Sequence, residues 1–261
     1  MFNSSSTPSR RHRWRYSPRC CRISTTEAEI DPKRIVRDGY DRISRKYRDD
    51  AGRGPDRHQP GQRDGRPDYE VWLAELTPLL RVGDPVLDLG CGCGVPATAI
   101  LAGQHAVTGV DVSPVQIARA RRLVPAAEFQ CADMSSIDFP PHSFAAVVAF
   151  FSIIHVPLEE QPAIFRSIFR WLRPDGYLLA TVGSGAWTGI EDDWHGAPMY
   201  WSHADRATYL VWLEETGFEV LWTRFVPEKI GGHTLVLAKT PALASPAIGA
   251  QRLGERRRSI Q

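Results

Sequence analysis

Residues 86–94 read Val-Leu-Asp-Leu-Gly-Cys-Gly-Cys-Gly, a short apolar stretch that runs directly into three glycines at alternate positions. The apolar residues predict a buried strand, and the glycines let the backbone turn sharply and approach a ligand without interference from Cβ atoms. A helix predicted after the turn, from Pro96 to Ala102, would offer free N–H groups at its start. The stretch therefore predicts a strand, a turn that contacts a cofactor, and a helix.

Strands and helices are expected to alternate on both sides of this turn. Apolar runs predict strands, and apolar residues spaced by about 3.6 predict helices; the run 144–151 is apolar throughout, as in a central strand covered on both faces. The predicted strands are 85–89, 106–110, 127–131, 144–151, 176–182, 218–225 and 233–239, and the predicted helices begin at Asp31, 68, 96, Pro114, 158 and 204. This order predicts an α/β fold, a doubly wound Rossmann-like sheet of seven strands that is mostly parallel with a C-terminal antiparallel strand pair.

The 261 residues are enough for one sizeable core. We expect one domain at 31–241, flanked by disordered tails at 1–30, rich in Arg and Ser, and at 242–261, which is basic. An Arg-rich start without acidic residues also fits a transit peptide, although it shows little amphipathic pattern. Within the domain we expect N-terminal cover helices at 31–82, a cofactor-binding core at 83–183, and a substrate lid with a C-terminal helix and strand pair at 184–241.

Positive charge is concentrated at the two ends of the chain. Residues 1–26 contain six Arg and no acidic residue, and residues 250–261 contain four Arg and one Glu. Subtracting these contributions, +6 and +3, from the formal net charge of +2 leaves about −7 for residues 27–249. Nucleic-acid-binding proteins concentrate Lys and Arg on the folded surface, so this distribution argues against a nucleic-acid partner.

Hydropathy and cysteine content indicate the setting of the protein. No stretch approaches the roughly 18 apolar residues of a membrane-spanning helix, so we expect a soluble protein with no membrane partner. Five Cys, an odd number in a long chain, do not indicate a disulfide framework. Cys91 and Cys93 have a C-x-C spacing instead of the C-x-x-C typical of zinc sites, so no metal is expected. The lack of a disulfide framework favours a cytoplasmic location.

Three features around the glycine turn bear on the kind of cofactor. The dinucleotide-binding fingerprint requires a small residue three positions after its second glycine, and Val95 occupies that position. Asp88 lies two residues before Gly90, where a carboxylate could face a cationic ligand such as S-adenosylmethionine (SAM), which carries an ammonium and a sulfonium group. Asp111 ends the second predicted strand, 23 residues after Asp88, and suits the ribose hydroxyls that NAD and SAM share.

Four segments occur in a characteristic order: the glycine turn at 86–94, Val-Thr-Gly-Val-Asp-Val-Ser at 107–113, Cys-Ala-Asp-Met at 131–134, and Phe-Phe-Ser-Ile-Ile-His-Val-Pro at 150–157. Together they resemble the motifs of class I SAM-dependent methyltransferases, and the resemblance covers about residues 33–240. It implies a Rossmann-like fold of the small-molecule type with SAM as cofactor. The segment 39–47, Gly-Tyr-Asp-Arg-Ile-Ser-Arg-Lys-Tyr, resembles the N-terminal cover of that family.

The resemblance also implies which residues contact the cofactor. The position of Asp88 and the glycines would hold the methionine part of SAM, that of Asp111 the ribose, and those of Asp133 and Met134 the two sides of the adenine. The full set of candidate cofactor contacts is Tyr40, Tyr47, Asp88, Gly90, Cys91, Gly92, Asp111, Val112, Gln116, Asp133, Met134 and Phe150.

Some of these residues also have a purely structural interpretation. Asp133 could cap a turn, and Met134 could fill the core. Tyr40 and Tyr47 could be core-facing aromatic residues, and Cys91 could simply fit a tight turn.

His155 follows the fourth predicted strand, at the edge of the sheet where ligands are expected. Methyl transfer from a sulfonium is an in-line displacement, in which the enzyme positions the acceptor and can remove a proton from it. A histidine is a suitable base near neutral pH. His155 could instead cap the turn at Pro157 or be a satisfied core residue.

The segment 183–203 is expected to be irregular, and its part 187–203 to form a lid over the acceptor. It concentrates Trp, Tyr, His and acidic residues after the fifth predicted strand, and a long segment of this kind is more often functional than structural. Aromatic and acidic side chains suit a planar or cationic acceptor, although the Trp residues could serve only to exclude water. The candidate catalytic residues are His155, His195 and His203, and the candidate acceptor contacts are Phe151, Trp187, Asp192, Trp194 and Tyr200. His233 could reach the same edge, although a histidine at the end of a hairpin is more often incidental.

The expected acceptor is a small molecule with a ring or an amine. The segment after the fourth strand lacks the Asn/Asp-Pro-Pro-Tyr/Phe motif of base N-methyltransferases and the Pro-Cys of cytosine C5 enzymes. Three alternatives remain: an NAD(P)-dependent oxidoreductase on a similar fold, a non-catalytic SAM-binding or regulatory protein, and an RNA methyltransferase. The sequence indicates no particular oligomeric state.

Overall fold

The computed structural model describes residues 31–53, 69–228 and 231–243. The tail expected at 1–30 lies outside the described residues. The tail expected at 242–261 lies outside them from residue 244 onward. Among the described helices, none is both long and apolar enough to cross a membrane.

Six helices and nine strands make up the described part of the chain. The helices are α1 Pro32–Tyr47, α2 Tyr69–Leu76, α3 Ala97–Ala102, α4 Pro114–Leu123, α5 Gln161–Trp171 and α6 Arg206–Thr216. The strands are β1 Pro85–Leu89, β2 Ala106–Asp111, β3 Glu128–Cys131, β4 Phe144–Ala149, β5 Leu172–Gly183, β6 Trp187–Trp194, β7 Ala197–His203, β8 Glu219–Pro227 and β9 Gly232–Lys239. Short 3₁₀ turns lie at Thr77–Leu79 and Ile153–His155.

Seven of the strands form one sheet in the order β3-β2-β1-β4-β5-β9-β8. Strands β1 to β5 are parallel, and β9 runs antiparallel between β5 and β8. The predicted doubly wound sheet with its C-terminal antiparallel pair is therefore confirmed. The chain order reverses between β1 and β4, and in such sheets ligands bind outside the carboxyl ends of the strands at this switch point.

Residues that alternate along the central strands pack against helices on opposite faces of the sheet. Leu87 and Val147 belong to the apolar core that includes α5 and α6, whereas Val86 and Val148 belong to the core that includes α2 and α3. All six residues of β4 are buried. The uniform apolar run that predicted a central strand is thus explained by helices on both faces.

Side-chain caps define the helix ends that the sequence predicted. Asp31 accepts a hydrogen bond from the backbone of Arg34, and Ser113 accepts one from Gln116 at the start of α4. Gly217 ends α6 with a φ of 106°, a left-handed conformation that favours glycine. Strand β5 begins at Leu172, four residues earlier than predicted.

The expectation that residues 183–203 are irregular is wrong. Strands β6 and β7 form a two-stranded antiparallel hairpin that pairs Trp187 with His203 and Trp194 with Ala197. Its turn consists of His195, with φ 55°, and Gly196, with φ 103°. Two adjacent residues with positive φ match the right-handed twist of paired strands, so the His-Gly pair is the turn signal that the sequence analysis overlooked.

The hairpin packs directly on α1 through Gly39. A Cβ atom at Gly39 would lie 2.7 Å from the carbonyl oxygen of Pro198 and 2.9 Å from Cε of Met199. Val36 and Ile43 of the same helix are buried against Met199 and Ala197. Helix α1 and the hairpin therefore form one closely packed cover.

We predict that Gly39→Ala lowers the thermal midpoint of unfolding. The added methyl group overpacks the contact with Pro198, at a cost of roughly 1–3 kcal/mol that exceeds the gain in helix propensity. Circular dichroism melts provide the measurement. Gly185→Ala is the matched control, because a Cβ atom there meets nothing within 4 Å. Equal midpoints for the two variants would contradict the packing.

Candidate functional site

A cavity opens at the carboxyl ends of β1, β2 and β4 and is covered by α1. It encloses about 1010 Å³ of empty space, its open mouth included. All twelve candidate cofactor contacts line it: Tyr40, Tyr47, Asp88, Gly90, Cys91, Gly92, Asp111, Val112, Gln116, Asp133, Met134 and Phe150. Residues that are far apart in the sequence are thus brought together at one site, although their individual roles stay predictions.

The glycine turn is shaped by close approaches that exclude side chains. Gly90, Gly92 and Gly94 have φ values of 77°, 55° and 80°. A Cβ atom at Gly90 would lie 2.1 Å from Cβ of Ser152 in the segment after β4. The N–H of Gly92 donates a 2.9 Å hydrogen bond to Oδ2 of Asp111 at the end of β2. The turn therefore fits closely between β2 and the segment that follows β4.

Two carboxyl groups line the cavity, the buried Asp88 and the partly buried Asp111. Asp88 is 2% exposed, and Oγ1 of Thr98 donates a 2.6 Å hydrogen bond to it. Burial raises the pKa of Asp88 to about 7 and that of Asp111 to about 6. Within the described residues, neither carboxyl group has a Lys or Arg partner within salt-bridge distance. Such acids without a cationic partner suit a ligand that brings its own positive charge.

Arg48, which the sequence analysis missed, contributes a positive charge to the cavity wall. Its guanidinium lies 5.3 Å from the ring centroids of both Tyr47 and Tyr69. It donates a hydrogen bond to the carbonyl of Gly52 at 3.0 Å, and the described residues offer it no carboxylate partner. A half-buried guanidinium in this setting suits a carboxylate or phosphate of a ligand.

Several polar contacts hold α1 over the cavity, and two of them involve residues of its wall. Nζ of Lys33 lies 2.8 Å from Oδ2 of Asp133 and 2.5 Å from Oε2 of Glu160. Oγ of Ser44 donates a 2.7 Å hydrogen bond to Oε1 of Gln116. Asp133 thus joins a loop to α1 as well as lining the cavity, and Lys33, which the sequence analysis also missed, is its partner.

His155 lines the cavity, but both of its ring nitrogens already have partners. Nδ1 lies 2.7 Å from the carbonyl oxygen of Tyr200, which can only accept, so Nδ1 carries the hydrogen. Nε2 then accepts a 2.9 Å hydrogen bond from the hydroxyl of Tyr40. Burial lowers the pKa of His155 to about 4. The imidazole is neutral at pH 7, and its role as a base stays a prediction.

The predicted acceptor and catalytic residues are divided between two places. Phe151 lines the cavity with a φ of 51°. Trp194 stacks behind Tyr40 and Tyr47, with ring centroids 5.7 and 5.1 Å away, and so forms a second layer behind the wall. The predicted residues that do not line this cavity are Trp187, Asp192, Trp194, His195, Tyr200 and His203.

Residues 86–176, which include the glycine turn and Asp111, match a family model described as a methyltransferase domain. Residues 86–176 thus carry a methyltransferase domain. The chain is 35% identical over 106 residues to phosphoethanolamine N-methyltransferase 1 of Arabidopsis thaliana, an alignment that covers 38% of this chain and 21% of that protein. It is 37% identical over 113 residues to 27-O-demethylrifamycin SV methyltransferase of Amycolatopsis mediterranei (strain S699), covering 41% and 40% of the two proteins.

The fold of this methyltransferase domain is shared over a longer stretch with solved structures. The magnesium protoporphyrin IX methyltransferase of Synechocystis PCC 6803, solved with bound SAM, superposes with a TM-score of 0.62. The two chains are 19% identical, and the match covers 82% of this chain and all of the other. By contrast, the alignments span only about a fifth and two fifths of the two curated relatives.

We predict that Asp88 makes the ligand-free protein less stable as pH rises, and that Asp88→Asn removes this contribution. The pKa of Asp88 rises from 3.8 to about 7 on folding, so the native state binds the proton more tightly than the unfolded chain does. The contribution of Asp88 to the free energy of unfolding therefore falls as pH rises from about 4 to about 7. Asparagine still accepts from Thr98 but cannot ionise, so the variant should be more stable at pH 8 by on the order of 2 kcal/mol.

Thermal unfolding from pH 5 to 8 provides the test. Asp193→Asn, at an exposed position of β6, is the control and should keep the wild-type slope. Asp111 retains a part of the slope in every variant, because burial also raises its pKa. Identical slopes for Asp88→Asn and wild type would rule out Asp88 as the source.

Proposed function

We propose that the protein binds SAM in the cavity and transfers the methyl group to a small-molecule acceptor. The observation that carries the proposal is the pair of carboxyl groups, the buried Asp88 and the partly buried Asp111, that line the cavity without a cationic partner among the described residues. SAM carries an ammonium and a sulfonium group, whereas a nicotinamide dinucleotide brings a pyrophosphate of negative charge. The charge of the cavity therefore favours SAM over the dinucleotide.

The residues of the cavity fit the parts of SAM in a definite order. Asp88 and the glycine turn would hold the ammonium end, and Arg48 would hold the carboxylate of the methionine part. Asp111 would accept from the ribose hydroxyls, because each carboxylate oxygen can accept a second hydrogen bond besides the backbone N–H that it already has. Asp133 and Met134 would flank the adenine.

When bound, SAM supplies an electrophilic methyl group for in-line displacement. The protein's own contribution is to position the acceptor and exclude water, since alignment of the reacting atoms accounts for much of the rate in such transfers. Tyr40 and Tyr47 close the cavity from above, and Phe150 and Phe151 close it at the end of β4. This enclosure supports a small acceptor, as do the names of the two curated relatives, both methyltransferases of small molecules.

Asp111→Ala is expected to weaken SAM binding at least tenfold. The variant loses the ribose contacts and the anchor of Gly92, and hydrogen bonds to a charged group are worth roughly 1.5–3 kcal/mol each. Isothermal titration calorimetry at pH 8 is the measurement. Asp193→Ala, on the exposed strand β6, should bind as wild type does. An unchanged affinity of Asp111→Ala would exclude the ribose assignment.

Arg48→Met is expected to weaken binding of SAM roughly tenfold and to leave binding of 5′-methylthioadenosine unchanged. The second ligand has no amino-acid portion, so only SAM loses a charge-assisted hydrogen bond worth about 1.5–3 kcal/mol. Arg45→Met is the control, because Arg45 lies on the same helix with a side chain that is 72% exposed. Equal losses for both ligands would show that Arg48 supports the cavity without contacting the methionine carboxylate.

The transfer itself is tested by incubating the full chain with SAM labelled on its methyl group and a metabolite extract, with cellular RNA as a separate acceptor. We expect label in a small organic product. Label that appears only in RNA would favour the RNA methyltransferase. In that case the protein should also bind RNA in a salt-dependent manner after both Arg-rich tails are removed. SAM that is bound but never consumed would favour a regulatory protein, and calorimetric binding of NADH instead of SAM would favour an oxidoreductase.

A further inference from the structure

His233 lies at the edge of the sheet where the cavity opens. It is the second residue of β9 and pairs in register with Gly183, the last residue of β5. Because β9 runs antiparallel to β5, its start meets the carboxyl ends of the parallel strands. The ring of His233 contacts the ring of Phe151, with centroids 5.2 Å apart, and Phe151 belongs to the cavity wall. One aromatic side chain therefore separates His233 from the cavity.

A carboxylate fixes the orientation of the His233 ring. Oε1 of Glu228 lies 3.1 Å from Nδ1 of His233, and the histidine is 8% exposed. An ionised carboxylate only accepts hydrogen bonds, so Nδ1 carries the hydrogen and Nε2 keeps its lone pair. In enzymes that use a histidine as general base, a carboxylate often orients the ring through a hydrogen bond of this kind.

His203, a candidate catalytic residue, and Trp187, a candidate acceptor contact, lie near His233, although neither lines the cavity. The ring of His203 is 5.9 Å from that of His233, and the ring of Trp187 is 6.2 Å from that of His203. Trp187 is 47% exposed, so this side of the group is open to solvent. We refer to Trp187, His203, Glu228 and His233 as the His233 cluster.

We propose that the acceptor binds across Phe151, reaching from the cavity to the exposed indole of Trp187, and that His233 is the general base of the reaction, with Glu228 as its positioning residue. This proposal rests on the methyl transfer proposed above. His155 is less suited to the task, because its Nε2 already accepts from Tyr40 and its Nδ1 donates to a carbonyl. The open indole of Trp187 supplies a surface on which a planar acceptor can stack.

The proposal defines the class of acceptor and the path of the proton. The acceptor carries a neutral O–H or N–H group, whose lone pair forms the new bond to the methyl carbon. The bond between that carbon and sulfur breaks, and its electron pair stays on sulfur. The proton of the acceptor passes to Nε2 of His233, and the Glu228 carboxylate stabilises the imidazolium that results.

The test compares His233→Asn and Glu228→Gln with wild type in the full chain. Each protein is titrated with S-adenosylhomocysteine and assayed for transfer of labelled methyl from saturating SAM to the metabolite extract. General bases contribute about 10²–10⁴-fold to rate, so His233→Asn should lower the rate at least 100-fold and leave the affinity for S-adenosylhomocysteine within twofold. Glu228→Gln should lower the rate less and keep the same affinity.

The pH dependence of the rate separates a base from a structural residue. Wild type should lose rate at acidic pH, because a protonated base cannot take the proton of the acceptor, and this acid limb should be absent from the residual rate of His233→Asn. Among the residues that the structure describes, the titratable groups that face His233 are Glu228 and His203, with His155 beyond them. At saturating SAM, changes in the protonation of Asp88 and Asp111 should not alter the dependence of the rate on pH. Nitrogen-15 spectra of the histidine-labelled protein should show Nδ1 protonated and Nε2 unprotonated at His233.

Matched controls come from the same structural elements. Glu219→Gln lies at the far end of the same strand pair, where Glu219 pairs with Lys239. His142→Asn lies before β4, at the opposite edge of the sheet, with a φ of 60° that asparagine tolerates. Both should retain the wild-type rate.

The outcomes distinguish the two proposals. Suppose that the wild-type protein transfers methyl groups. An unaltered rate in His233→Asn, or equal losses of its rate and its affinity, then overturns His233 as the base, and so does a proton on Nε2 of His233. The proposed function stays intact in each case. A wild-type protein that binds S-adenosylhomocysteine and transfers no methyl group overturns both.

Discussion

The close approach of Gly90 to Ser152 is the constraint on which the cavity depends. At the switch point, β1 and β4 lie side by side, and the backbone after each strand must turn away within a few residues. No side chain fits between Gly90 and Ser152, and Oγ of Ser152 donates a hydrogen bond to the carbonyl of Leu89. The two segments diverge from this contact, and the space between them is where Asp88 and Asp111 face the ligand.

Local patterns were sufficient to predict the sheet and most of the cavity wall. Strand β1 and the cap of α4 at Ser113 depend on neighbouring residues, and the resemblance supplied the order of the contacts. Arg48 and Lys33 could not be predicted in this way, because their environments are made by segments distant in the sequence. The hairpin was missed because its aromatic residues were interpreted as a lid, and the His195-Gly196 turn was not recognised.

Two histidines at the same edge of the sheet differ in their hydrogen-bond partners, and this difference decides which of them is suited to act as a base. His155 is buried, and both of its nitrogens are engaged, so burial holds its pKa well below that of a free imidazole. His233 has a carboxylate on Nδ1 and lies beside an open group of aromatic rings. Sequence position favoured the first as the base, since it follows β4, whereas the contacts favour the second.

The tight fit of Gly39 against Pro198 has a consequence for the entry of a ligand. Helix α1 cannot slide along β7 without a clash, so ligand entry through the cover requires the helix and the hairpin to swing as one body. The tether from Lys33 to Asp133 and Glu160 must open in the same movement. Opening of the cover would then depend on ionic strength, because these partly exposed charges are screened by salt.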